Sequence, residues 1–177
     1  MASLLQICQL GHPVLRCQAT PIEDLQDAGM QKLIDDLIAT VISVNGVGIA
    51  APQVAEPFRV FIVASHPSPR YPNAPNMQPT AMINPRILSH SDKQVKDWEG
   101  CLSIPGIRGL VPRYTAVEVE YLDCQGKLQK HTFRDFIARI VQHEQDHLEG
   151  IVFLDRLETT KDIVTEQEYQ KLIVQKQ

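Results

Sequence analysis

Residues 142–150 read Gln-His-Glu-Gln-Asp-His-Leu-Glu-Gly, with two histidines four positions apart and a glutamate directly after the first. On an α-helix, positions i and i+4 share one face, a turn apart. His143 and His147 can therefore grip a single metal ion, while Glu144 sits close enough to handle the proton of a water beside it. Phe133, Phe136, Ile137, Ile140 and Val141 recur upstream at helical spacing, and the same stripe continues into His143, Glu144 and His147. The pattern predicts a helix whose site faces the interior, with Gly150 as its C-terminal stop. The plainer reading is two core histidines that happen to be neighbours. Two ligands alone do not make a catalytic centre, because a tetrahedral site needs a third protein donor and one open position.

The rest of the chain must supply that donor, and its size and composition limit where to look. A length of 177 residues suits one domain, expected over 1–177, that buries about 70% of its unfolded surface. The hydrophobic fraction of 44% and charged fraction of 21% are ordinary for a soluble protein. A net charge of −4 leaves no basic footprint for nucleic acid, and no apolar run approaches the roughly 18 residues of a membrane span. Met1 to Leu10 lack the basic and then apolar profile of a secretory signal, and also the Arg-rich, acid-poor profile of a transit peptide. Cys8, Cys17, Cys101 and Cys124 are widely spaced and form no C-x-x-C pair, which argues against a disulfide framework. The expected location is the cytoplasm with reduced thiols, or an organelle if a transit peptide has been removed.

Local patterns fill in the architecture. Residues 1–20 read as an irregular lead-in with a Gly11-His12-Pro13 turn, in which His12 is a surface or packing residue. Met30, Leu33, Ile34, Leu37, Ile38, Val41 and Ile42 form a long amphipathic stripe, ended by Asn45-Gly46. Gly46 to Gln53 (GVGIAAPQ) is small-residue chain that lets a backbone approach something closely, without the Lys-Ser/Thr of a phosphate loop. Arg59 to Ala64 reads as a buried strand. Residues 65–79 hold five prolines and are expected to form a long surface loop with His66 solvated. Ala81–Asn84 and Val95–Trp98 are short strand candidates. Ala116 to Leu122 alternates with period two and turns at Asp123-Cys124-Gln125-Gly126 into 127–132, a hairpin leading to the histidine helix; Cys124 should face solvent, and His131 should lie at a strand end. Ile151–Leu154 is a further strand candidate, and Thr165-x-x-Glu168 a capping box opening a short C-terminal helix. The expected class is α+β: short antiparallel or mixed sheets around the central H-E-x-x-H helix, with a long N-terminal and a short C-terminal helix.

Cys101, in Glu99-Gly100-Cys101-Leu102-Ser103, is the best remaining donor, since thiolate is a strong ligand for zinc or ferrous iron. With it the chain resembles the peptide deformylases, whose three motifs, G-x-G-[I/L]-A-A-x-Q, E-G-C-L-S and Q-H-E-x-D-H, all occur in order at Gly46–Gln53, Glu99–Ser103 and Gln142–His147. The resemblance implies removal of the formyl group from N-formylmethionyl nascent peptides. It assigns Cys101, His143 and His147 to the metal and Glu144 to acid/base work. Gln53 and the Leu102 N–H would polarise the formyl oxygen, and the backbone of Val47 and Gly48 would hold the peptide as an added strand. A side chain at Gly48 would obstruct that approach. The resemblance also implies a methionine pocket of Val47, Phe136, Ile140 and the stem of Arg139, with Trp98 beside it, and places Arg108 near the cleft. Arg139 could equally face solvent. A buried Arg113–Glu99 pair orienting the cysteine loop is a further expectation.

Two other readings compete. A thermolysin-like protease would need a downstream acidic ligand, for which Glu149, Asp155 and Glu158 lie unusually near. A zinc-stabilised binding domain would need a fourth ligand and gives Glu144 no role. The donor set accepts one divalent ion. The resemblance suggests Fe(II), with Zn, Ni or Co also acceptable in a purified protein. Action on nascent chains would allow the C-terminal helix to dock on the ribosome near the exit tunnel.

Overall fold

The computed structural model describes residues 2–68 and 70–174. Its helices are α1 (Ala28–Ser43), α2 (Asp135–Leu148) and α3 (Glu166–Val174). Its strands are β1 (Gly48–Ala50), β2 (Val60–Val63), β3 (Thr80–His90), β4 (Gln94–Cys101), β5 (Ile104–Tyr114), β6 (Ala116–Leu122), β7 (Leu128–Arg134) and β8 (Ile163–Thr165). Two antiparallel sheets result, one ordered β1-β2-β3-β6-β7 and one ordered β4-β5-β8. The mixed sheet allowed by the sequence does not occur among these strands.

Side-chain alternation explains how the larger sheet is covered. Ile49, Val60 and Ile62 pack with Met30, Ile34, Leu37 and Val41 of α1. Ala50, Phe61 and Val63 point the other way, into Ala138, Ile140, Val141 and Leu148 of α2. A strand buried on both faces reads as a continuous apolar run rather than an alternating one, which is why Val60–Val63 is buried throughout. The stripe of α1 is narrower than its sequence suggests: Ile42 is 53% exposed, one residue past the last inward turn. Asp27 caps α1 by accepting the Met30 N–H at 3.0 Å, and Asn45, at φ +51, turns the chain out of it.

The smaller sheet lies against the other side of α2. Gln142 Oε1 accepts the Tyr114 N–H at 3.0 Å, and Gln142 Nε2 donates to the Tyr114 carbonyl at 2.9 Å. α2 is thus held between the two sheets, and it stops before Gly150, which takes φ +71.

Several local expectations change. β5 is absent from the sequence reading because two prolines and two glycines in 104–114 mask it; it pairs with β4 and β8 nonetheless. β3 runs on through Pro85, which sits at a register shift between Ile83 and Arg86, where a missing N–H is tolerated. Phe133 belongs to β7, not to the helix. Residues 151–154 form no strand; Phe153–Arg156 is a 3₁₀ turn in which Asp155 Oδ2 accepts the Val152 N–H at 2.8 Å. Cys124 is half-buried against the α1 core rather than solvent-facing. The proline-rich loop folds back on itself: Ser65 and Ala74 are buried, the Ser65 hydroxyl donates to the Pro75 carbonyl at 2.6 Å, and His66 is half-buried with Nδ1 2.8 Å from the Ala64 carbonyl.

Candidate metal centre

Three elements bring the donors together. α2 carries His143 and His147, whose rings meet edge to face with centroids 5.1 Å apart. β4 ends on Cys101, where a register shift between Glu99 and Cys101 re-aims the chain. One ligand atom from each of Cys101, His143 and His147 lies within 4.8 Å of the others, and Cys101 Sγ is 3.3 Å from His147 Nε2. With bonds near 2.0–2.3 Å, one tetrahedral divalent ion spans three donors so spaced. The donors fit a metal.

Glu144, on the same helix, is 4% exposed, and its Oε2 is buried without a hydrogen-bond partner among the described residues. Burial pushes its carboxyl up to about 7, a value suited to taking up and returning a proton near neutrality. Gln53 comes from the 3₁₀ turn after β1. Its Oε1 accepts the Ala50 N–H at 2.8 Å, so its Nε2 is aimed at the centre, 3.4 Å from Cys101 Sγ and 3.2 Å from Ser103 Oγ. Leu102 follows the thiol directly and packs against the α1 core.

Glu99 organises the surroundings. Its carboxylate accepts from Arg113 Nε at 2.9 Å, Arg113 Nη2 at 3.0 Å, Arg139 Nη1 at 2.8 Å and His143 Nδ1 at 2.9 Å. The bond to Nδ1 leaves His143 Nε2 for the ion, a carboxylate-to-histidine arrangement common around metals. Arg113 Nη1 continues to Asp146 at 2.6 Å, and Asp146 accepts two N–H groups of Arg156 at 3.1 and 2.6 Å. Burial alone would raise the Glu99 carboxyl, but Arg113 and His143 outweigh it and hold it well below the usual range. The same opposition acts on the histidines. Burial would lower His143, yet Cys101 and Glu99 hold it high, whereas burial and the His143 charge push His147 low.

A cleft of about 530 Å³ opens onto the centre, lined by Val47, Gly48, Phe136 and Ile140 on one side and by Gly100 to Leu102 and Arg108 on the other. β1 is an edge strand of its sheet. Val47 already spends its carbonyl on the Ala64 N–H at 2.8 Å; strand alternation turns the backbone of Gly48 outward, to the cleft. Gly48 is glycine for a further reason than the sequence suggested. A Cβ there would collide with Glu144 Oε1 and lie 2.9 Å from Ile140 Cγ2, so the glycine lets β1 press on the acid/base residue itself.

Arg139 does not face solvent, and it is among the residues lining the cleft. It is 8% exposed, and its guanidinium bonds Glu99 and the carbonyls of Val111 at 2.8 Å and Val95 at 2.6 Å, so its head reaches protein rather than water. The expected Glu99–Arg113 pair is present and buried. Asp146 was missed, although its place three residues after His143 on the inward face was a usable signal. The acidic alternatives for a third ligand point elsewhere: Glu149 pairs with Arg59 at 2.7 Å, Asp155 with Arg16, and Glu158 with Lys96 at 2.6 Å.

An α+β fold with a thiolate-and-two-histidine donor set and an adjoining buried carboxylate defines a metal-dependent hydrolase. The sequence matches the polypeptide deformylase family over residues 4–162. Peptide deformylase 2 of Nostoc sp. is 62% identical over 170 residues, covering 96% of this chain and 95% of that one. The class I type b peptide deformylase of Acinetobacter baumannii bound to Met-Ala-Ser superposes with a TM-score of 0.86 at 46% identity, covering 89% of this chain and 100% of that one. The peptide deformylase of Thermotoga maritima does so with a TM-score of 0.79 at 33% identity, over 89% and 99%. The chain belongs to the polypeptide deformylase family, whose members remove the N-formyl group from newly made polypeptides.

Proposed function

We propose that residues 1–177 act as one catalytic domain that releases formate from formylmethionyl nascent chains, with Cys101, His143 and His147 holding one divalent ion. The observation that carries this assignment is the convergence of those three donors with Glu144 and Gln53 at the end of one cleft. A bound ion would acidify a water and polarise the formyl carbonyl. Glu144 takes the proton of the attacking water and returns it to the departing amine. Gln53 Nε2 and the Leu102 N–H donate to the formyl oxygen as its charge develops. Gly48 offers the outward backbone of β1 to the peptide main chain, an attachment independent of the peptide's side chains. Val47, Phe136 and Ile140 receive the methionine side chain, and Arg108 borders the residues that follow. The Met-Ala-Ser bound to the Acinetobacter baumannii protein supports a peptide beginning with methionine in this cleft.

The native ion on this reading is Fe(II), as the family resemblance implies; zinc, nickel or cobalt would occupy the same donors in purified protein. We place the protein in the bacterial cytoplasm, acting near the ribosomal exit tunnel. No helix among the described residues is long and apolar enough to cross a membrane. The test is formate release from formyl-Met-Ala-Ser alongside metal analysis. A metal-loaded protein that releases none overturns the assignment. Activity that decays in air but persists after exchange to nickel identifies iron; air-stable activity in freshly isolated protein argues against it.

A further inference from the structure

Part of the cleft lining comes from a segment beyond the family match, which ends at residue 162. β8 pairs with β5, setting Val164 opposite Arg108, and α3 follows with Glu166 and Gln170 among the residues that line the cleft. Arg108 is only 2% exposed, and its guanidinium lies against Gly100, where a Cβ would be 3.0 Å from Cζ. Glu166 grips it in bidentate fashion, Nε to Oε2 at 2.6 Å and Nη2 to Oε1 at 3.3 Å, while Nη1 donates to the Tyr71 hydroxyl at 2.9 Å. The rings of Tyr71 and Tyr169 flank the same cation at 5.4 and 5.0 Å. Tyr71 in turn packs on Phe136 at 5.0 Å, and Tyr169 on Trp98 at 5.6 Å. A belt of side chains from the proline-rich loop, β4, β5, α2 and α3 therefore closes around one guanidinium whose charge Glu166 compensates.

Gly100 adjoins Cys101 and Arg108 lines the same cleft, so on the deformylase reading Arg108 is within reach of the residues that follow the methionine, at about 3.3 Å per extended residue. Resting on the deformylase reading above, we propose that Glu166 is a specificity-determining residue. By neutralising Arg108 and docking α3 at the cleft, it sets how the enzyme discriminates charge in the second and third residues of the formyl peptide. With Glu166 in place the Arg108 charge is balanced, and Arg70, which lines the same cleft, adds a cation that the Glu166 variants leave unchanged. Without its carboxylate, the wall presents a bare cation that attracts acidic residues and repels basic ones.

The experiment compares kcat/KM for formyl-Met-Ala-Ala amide with versions carrying Asp or Lys at the second or third position. In Glu166→Gln, the Asp-to-Lys ratio, normalised to the neutral peptide, should rise about fivefold, as a unit charge at close range in a partly wet cleft would produce, and the rise should shrink in high salt. The double variant Arg108→Gln/Glu166→Gln removes both charges and should return the ratio toward that of the unmodified enzyme, even if α3 docks less firmly. A uniform loss across all peptides, an unchanged ratio, or a double variant that keeps the raised ratio would overturn the proposal. Absence of formate release from the neutral peptide by the unmodified enzyme would instead overturn the deformylase assignment.

Discussion

Two carboxylates near the ligands differ because their partners differ. Glu144 meets no cation directly and is pushed up to about 7 by burial, while Glu99 meets two arginines and a histidine and is held down. The first suits proton transfer and the second suits orientation. Glu144→Ala should therefore keep its metal yet lose formate release by about 10²- to 10⁴-fold; near-normal turnover in metal-loaded protein would remove the role. Glu99→Gln should act through His143, lowering metal affinity about 10- to 100-fold, as read by competition with a chromogenic chelator. It also leaves Arg113 and Arg139 buried beside a neutral amide, so the same variant should melt earlier than Glu144→Ala.

At the scale of elements, the tightest constraint is β1 against α2. Gly48→Ala must displace Glu144 or separate strand from helix. Overpacking of this kind costs about 1–3 kcal/mol, and the expected outcome is a lower melting temperature with a larger loss of formate release. A variant as active as the parent would show that the carboxylate has room to move. Elements carrying one period through their length were legible: α1 from its stripe, β2 from its apolar run, and the β6–β7 hairpin from alternation and its Gly126 turn. β5 was not, because two prolines and two glycines break its apolar alternation, even though its partner β4 directly precedes it in the chain. The grouping of His143 with His147 was legible from their spacing, and that of Cys101 with them only through the family resemblance. The Arg113–Asp146 bond joins residues 33 apart, and the clamp on Arg108 joins residues 37 and 58 apart; contacts of that reach leave no periodic trace. The proline count marked 65–79 as a loop but carried no sign that Tyr71 would belong to the cleft wall.

For the molecule as a whole, these groups set an acid–base profile of stability. Glu99 has a folded value below its ordinary 4.5, so its contribution is present above about pH 4.5 and fades as pH falls toward the folded value. Glu144 runs oppositely. Raised from 4.5 to about 7, it contributes fully below 4.5 and loses that contribution as pH rises through about 7. In protein stripped of metal, Glu144→Gln should flatten the decline in melting temperature between pH 5 and 7 while leaving the acid limb in place. An unchanged slope would show that the carboxyl titrates at its ordinary value.

The chain of charges from Arg139 through Glu99, Arg113 and Asp146 to Arg156 fastens β4, β5, α2 and the turn after it, using no metal bond anywhere. Folding and ion uptake are therefore expected to be separable events, unlike in small domains that collapse only around their zinc. On that expectation, an ion can be exchanged without the scaffold being rebuilt. Amide hydrogen exchange along α2 should accordingly stay slow after chelation; rapid exchange there would mean that the ion, not the charge chain, keeps the helix in place.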